Sequence, residues 1–214
     1  MKKQDVLRWS CDLVSAARSP VQAYLLGGTA LVMADLQDCT GDLDFVVPTA
    51  EERQTLLERA LELGFRVTGE ADERIDRPIH LVGDSTSIDV FVVRTTHFCL
   101  TEGVRRRALP VIEHGTSGVR SLAPQDILLF KTATGRPGDD VRVRAIFEGI
   151  RVDWDAFVDE VDAQESIGNT RGAFDVLDAF YTARILHRVP ARVRDEMVER
   201  VQRQLSRLLA EHIQ

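Results

Sequence analysis

The rhythm of apolar and polar positions changes several times along the chain, and each change marks an element. Over residues 4 to 18, Val6, Leu7, Leu13, Val14 and Ala17 recur near helical spacing until Pro20 closes the segment, which predicts an amphipathic helix. Val21 to Leu26 is a short apolar run read as a strand entering Gly27-Gly28, and Thr29 to Leu36 continues as a helix. From residue 42 the period drops to two: Asp42 and Asp44 point one way, Leu43 and Phe45 the other, as in a strand. Pro48 ends that strand, and Thr49-Ala50-Glu51-Glu52 has the form of a capping box for a helix reaching Leu63. Gly64 is its expected stop, with Phe65 to Thr68 as a further strand. Residues 69 to 77 are polar and loop-like; Ile79 to Val82 and Ser87 to Val93, separated by Gly83-Asp84-Ser85-Thr86, read as an antiparallel hairpin.

Downstream, residues 97 to 103 show no decisive period. Arg106 to Glu113 and Val119 to Leu122 are expected as short strands around His114-Gly115-Thr116-Ser117-Gly118. Pro124 introduces a helix over Gln125 to Thr134, Gly135-Arg136-Pro137-Gly138 breaks it, and another helix follows from about Asp140 to Gly149. Beyond Asp153 the pattern is helical throughout, with apolar stripes through Trp154, Phe157, Val158 and Val161, through Phe174, Leu177, Tyr181 and Ile185, and through Met197, Val201, Leu205, Leu208 and Leu209. The expected fold class is therefore α+β: a mixed sheet flanked by helices over residues 1–150, then a helical C-terminal subdomain over 151–214.

Composition narrows the class. A chain of 214 residues with 44% hydrophobic and 29% charged side chains can bury a sizeable core and is that of a soluble globular protein rather than a disordered one. No apolar run approaches membrane-spanning length and none follows Met1-Lys2-Lys3 as a signal would, so no membrane association is expected and the expected compartment is the cytoplasm. Cys11, Cys39 and Cys99 are odd in number and widely spaced, which indicates neither a disulfide framework nor a zinc site. The net charge of -7 argues against a protein that coats nucleic acid non-specifically. Its acidic excess lies in residues 1–99, so a polyanionic acceptor would have to meet the arginines further on, Arg105-Arg106-Arg107 among them.

The acids supply the chemistry. Asp42 and Asp44 share one strand face, and two like charges held side by side are costly unless a cation joins them. Taken alone, Asp-x-Asp is equally the wet face of an edge strand. Asp89 sharpens the choice, because a single carboxylate within Ile88-Asp89-Val90-Phe91-Val92-Val93 has no evident structural use. If its strand lies beside that of Asp42 and Asp44, the three acids converge on a hard divalent metal, Mg²⁺ or Mn²⁺, which takes a few carboxylates and leaves positions for substrate phosphates. Gly27-Gly28 permits backbone angles and close approach that a side chain would forbid, though an ordinary strand-to-helix turn would look the same. Thr40 is placed either to orient the acids or to bond its own turn. The five histidines show no mutual ligand spacing and are read as structural or exposed.

These residues resemble a known family. Leu25-Leu26-Gly27-Gly28-Thr29-Ala30-Leu31, a spacer of thirteen residues after Gly28, Asp42-x-Asp44 and the later Asp89 strand are similar to the nucleotidyltransferase superfamily with the polymerase-beta-like fold. With Thr40 and the downstream Lys131-x4-Arg136-Pro137-x-Asp139, the resemblance narrows to small AbiEii-type enzymes, several of which are toxins of toxin-antitoxin systems. It covers roughly residues 21 to 147. It implies transfer of a nucleoside monophosphate from an NTP such as ATP to a hydroxyl of RNA (a tRNA 3′ end) or protein, with an antitoxin as a possible partner. It also implies that Asp42, Asp44 and Asp89 are catalytic metal ligands and that Gly27, Gly28, Thr29, Thr40, Lys131 and Arg136 bind nucleotide. Two departures stand out: Asp38 occupies the place of an Arg two residues before the Thr, and Gly138 that of a Lys after the Pro.

Two rival functions use the same residues. A haloacid-dehalogenase-type phosphohydrolase also starts from Asp-x-Asp, but it usually follows the second Asp with a small or hydroxylated residue, here Phe45, and leaves Gly27-Gly28 and Asp89 unexplained. A nucleotidyltransferase-like module without activity, serving as a binding partner, is favoured by Asp38.

Overall fold

The computed structural model describes residues 1–68, 77–95, 98–169 and 171–212; most of the polar stretch 69–77, and His97, lie outside them. The chain packs as two compact units, Met1–Ala123 and Pro124–Gln214. Helices α5 (Pro124–Thr132) and α6 (Asp139–Gly149) pack with α7 (Trp154–Ser166) and α8 (Gly172–Thr182) in the second unit, a different grouping from the boundary near residue 150 read from the sequence.

The first unit is built on a mixed sheet, in the order β3-β4-β5-β2-β1-β7-β6. Its strands are β1 (Gln22–Leu25), β2 (Asp42–Val47), β3 (Arg66–Val67), β4 (Ile79–Val82), β5 (Ser87–Val92), β6 (Leu109–His114) and β7 (Ser117–Ser121). β2 runs parallel to β5, and β1 parallel to β7, while the other neighbouring pairs are antiparallel. The α+β class and the β4-β5 hairpin expected from the sequence are both present.

Period-two alternation divides this sheet into two unlike faces. Ala23, Leu25, Leu43, Phe45, Val47, Leu81, Ile88, Val90 and Val92 turn to one side. There they meet Val6, Leu13 and Val14 of α1 (Lys3–Val14) and Leu56, Leu57 and Ala60 of α3 (Ala50–Glu62) in one apolar core. Burying a side chain of that size contributes roughly 1.5–3 kcal/mol, so this face fixes the register. A one-residue slip would carry Asp42 and Asp44 into the core. The opposite face carries Asp42, Asp44 and Asp89, and His80 and Tyr24 by register.

Two expectations for local structure change. Arg106 and Arg107 close a short helix, α4 (Glu102–Arg107), rather than starting a strand. Thr101 caps it by accepting from the Val104 N–H at 3.1 Å, a local bond the residue pattern did not reveal. In the second unit, α8 turns Ala173, Val176 and Phe180 inward, while Phe174 and Tyr181 of the expected stripe are 48% and 74% exposed. α8 is apolar on more than one side, so periodicity alone could not choose the buried face. Phe180 stacks on Phe157 with ring centroids 6.0 Å apart, and Trp154 meets both edge-on. The long α9 (Ala191–His212) is tied to α7 by Arg200, which is 6% exposed and bonds Glu165 at 3.0 Å and Asp162.

Candidate active site

Strand register brings the acids together. β2 and β5 are parallel neighbours in which Asp44 lies opposite Asp89, and Asp42 is two residues before Asp44 on the same face. One carboxylate oxygen from each of Asp42, Asp44 and Asp89 lies within 4.8 Å of the other two. All three side chains are half-buried. Two unit charges at such a separation repel by about 3 kcal/mol even at an effective dielectric constant of about 20. Three hard oxygen donors this close suit an ion that takes ligands at about 2.0–2.1 Å and keeps some positions for other oxygens, as Mg²⁺ does. The donor set therefore fits the divalent metal that the sequence suggests.

The glycine pair abuts this cluster. Gly27 has φ +57°, in the left-handed region that an L side chain enters at a cost, and a Cβ there would stand 2.2 Å from Asp44 Oδ2. A Cβ on Gly28 would stand 2.6 Å from Thr40 Oγ1. Leu26 donates its N–H to the Asp44 carbonyl at 3.1 Å, which stitches the turn to β2. Thr29, fully buried at the start of α2 (Gly27–Met33), donates its hydroxyl to the Asp42 carbonyl at 3.1 Å and accepts the Asp44 N–H at 3.0 Å. Its hydroxyl is thus engaged in holding the turn against the acidic strand. Thr40 Oγ1 donates to Asp42 Oδ1 at 3.1 Å, the orienting option foreseen for it. Asp38, in the place of the family Arg, lies in the loop before β2.

Lys131 and Arg136 belong to the second unit, where they gather around Asp139. Lys131 Nζ is 2.7 Å from Asp139 Oδ1, and the Arg136 N–H donates to Oδ2 at 2.9 Å. Arg142 reaches Oδ1 at 3.2 Å, and Thr134 Oγ1 also bonds Oδ2. The Arg136 side chain is exposed. Gly138 has φ +83°, which gives a backbone reason for glycine where the family carries Lys. Burial by itself would raise the Asp139 pKa, but Lys131, Thr134 and the Arg136 N–H together hold it below the ordinary aspartate value. A carboxylate depressed in this way stabilises the fold above its unfolded pKa, and that stability is lost as pH falls through the folded value. We expect Asp139→Asn to cost about 3 kcal/mol near neutrality, because it leaves the nearly buried Lys131 without its counter-charge. The gap to wild type should close below about pH 4. Urea unfolding at a series of pH values measures it.

No protein-family model matches the chain, and no curated protein matches it. Solved structures with partial likeness exist. The antibiotic-resistance factor ANT(2'')-Ia in solution aligns over 84% of this chain and 95% of its own, at 14% identity and a TM-score of 0.48. The same factor crystallised with adenylyl-2''-tobramycin aligns over 68% and 88%, at 16% identity and a TM-score of 0.46. An antigenic nucleotidyltransferase-like protein from Paracoccidioides brasiliensis aligns over 69% and 74%, at 18% identity and a TM-score of 0.41. What this site can do rests on its own residues.

One neighbour of the acids escaped the sequence. His80, on β4, lies opposite Asp89 in the antiparallel register, and its Nδ1 is 2.5 Å from Asp89 Oδ1. The five histidines have no mutual ligand spacing, so spacing alone does not single out His80. The available signal was the hairpin itself: with Gly83-Asp84-Ser85-Thr86 as its turn, His80 and Asp89 are cross-strand partners.

Proposed function

We propose that this protein is a metal-dependent nucleotidyltransferase that moves a nucleoside monophosphate from an NTP to an acceptor hydroxyl, releasing pyrophosphate. One observation carries the reading: three carboxylate oxygens from two neighbouring strands, within 4.8 Å of one another, beside a glycine turn that leaves Asp44 no room for a Cβ at position 27. Asp42 and Asp44 from β2 and Asp89 from β5 would hold the metal. A bound Mg²⁺ or Mn²⁺ supplies charge neutralisation to the phosphates and acidifies the attacking hydroxyl. Asp89 is the group placed to accept that hydroxyl's proton. The missing side chains of Gly27 and Gly28 make room for Asp44 and Thr40, Thr29 and Thr40 keep the turn and Asp42 in place, and by the family pattern the backbone of this turn meets the phosphates. By the family pattern, Lys131 and Arg136 offset triphosphate charge. The same pattern makes an RNA 3′ end, such as that of a tRNA, or a protein side chain the acceptor class, and an antitoxin protein the partner.

The test is incubation with each α-labelled NTP and Mg²⁺ or Mn²⁺, in the presence of total RNA and of protein. Label should pass to RNA or protein only with the metal, and pyrophosphate should appear in step. Inorganic phosphate released from simple phosphomonoesters would favour the dehalogenase-type reading instead. Absence of both transfer and any NTP-induced rise in melting temperature would favour the inactive binding module.

A further inference from the structure

We infer that His80 is a positioning residue for the acidic cluster, setting the direction of the Asp89 carboxylate; this rests on the assignment of Asp42, Asp44 and Asp89 as metal ligands. The antiparallel register of β4 and β5 puts the two residues face to face, and Nδ1 approaches Oδ1 to 2.5 Å. An ionised carboxylate can only accept, so Nδ1 is the donor, and Nε2 is not needed for the contact. The bond engages one oxygen of Asp89 and leaves the second oxygen to a cation. Asp42 has the corresponding arrangement, with Thr40 Oγ1 donating to its Oδ1 at 3.1 Å. Asp42 and Asp89 are thus each oriented by a hydrogen-bond donor outside the cluster.

Stability gives little reason for the pair. The His80 and Asp89 side chains are 44% and 24% exposed, and exposed ion pairs contribute little to folding. What the contact changes is orientation. A free Asp side chain samples several rotamers; β4 flanks β5 on the side away from β2, so a donor on β4 that holds Oδ1 leaves the other oxygen towards the acids of β2. Partners that orient metal ligands typically contribute 10–100-fold in metal affinity.

The experiment is a Mn²⁺ titration at constant pH, following free Mn²⁺ by electron paramagnetic resonance. It compares the wild-type chain with His80→Ala, His80→Asn and the Asp42→Asn/Asp44→Asn pair. His80→Ala should weaken Mn²⁺ binding by about tenfold or more. Its metal-free melting temperature should stay within about 1 °C of wild type. His80→Asn, whose amide N–H can stand where Nδ1–H stood, should recover most of the affinity, which a purely structural role for the ring would not do. His80→Ala binding within about twofold of wild type, or His80→Asn no better than His80→Ala, would overturn the role of His80 and leave the metal site standing. Wild-type binding no tighter than that of the Asp42→Asn/Asp44→Asn pair would overturn the metal site and this inference together.

Discussion

Asp44→Asn should abolish nucleotidyl transfer and remove the stabilisation that Mg²⁺ gives the wild type. Asp44 is the central acid of the cluster, opposite Asp89 in register and two residues from Asp42. Metal-ion activation is worth several kcal/mol of transition-state stabilisation, and each 1.36 kcal/mol is tenfold in rate. A fall of about a thousand-fold or more in label transfer is therefore expected. A ligand at a hundred times its dissociation constant adds about 2.7 kcal/mol to the wild type, and the variant should gain little. Thermal melts of both proteins with and without Mg²⁺ should therefore show a rise in the wild type alone. Equal rises would mean that the acids are not a metal site.

Gly27→Ala should act on the site through the backbone. At φ +57° an alanine costs about 1–2 kcal/mol, and its Cβ would lie 2.2 Å from Asp44 Oδ2, so the carboxylate must swing aside. The expected outcome is a loss of that stability by urea unfolding together with at least a tenfold loss of Mn²⁺ affinity. Gly41 supplies the control. It lies between Thr40 and Asp42, but a Cβ there meets nothing within 4 Å, so Gly41→Ala should stay within about 0.5 kcal/mol of wild type and keep its metal affinity. Equal effects of the two substitutions would show that the close approach of Gly27 to Asp44 has no role in holding the metal.

The acidic strand was legible because its signal is local. Asp42, Leu43, Asp44 and Phe45 alternate, and alternation within a strand assigns faces without knowledge of any partner. Asp89 was legible as an anomaly, a charge in an apolar run. Arg106 and Arg107 fall in a helix rather than the expected strand because a one-bond cap at Thr101 starts α4, while β propensity lies only in the residues after them. For Lys131 and Arg136, the residue pattern could not show that both would gather around Asp139, since that depends on how the loop between α5 and α6 closes.

By itself the sequence determined which strand face Asp42 and Asp44 occupy, because hydrophobic burial on the other face leaves only one tolerable register. Only the tertiary structure decided that β5 runs beside β2, so that Asp89 stands opposite Asp44. Strand order and pairing are non-local: they depend on how the sheet closes around its core, and nothing within a single strand encodes its neighbour.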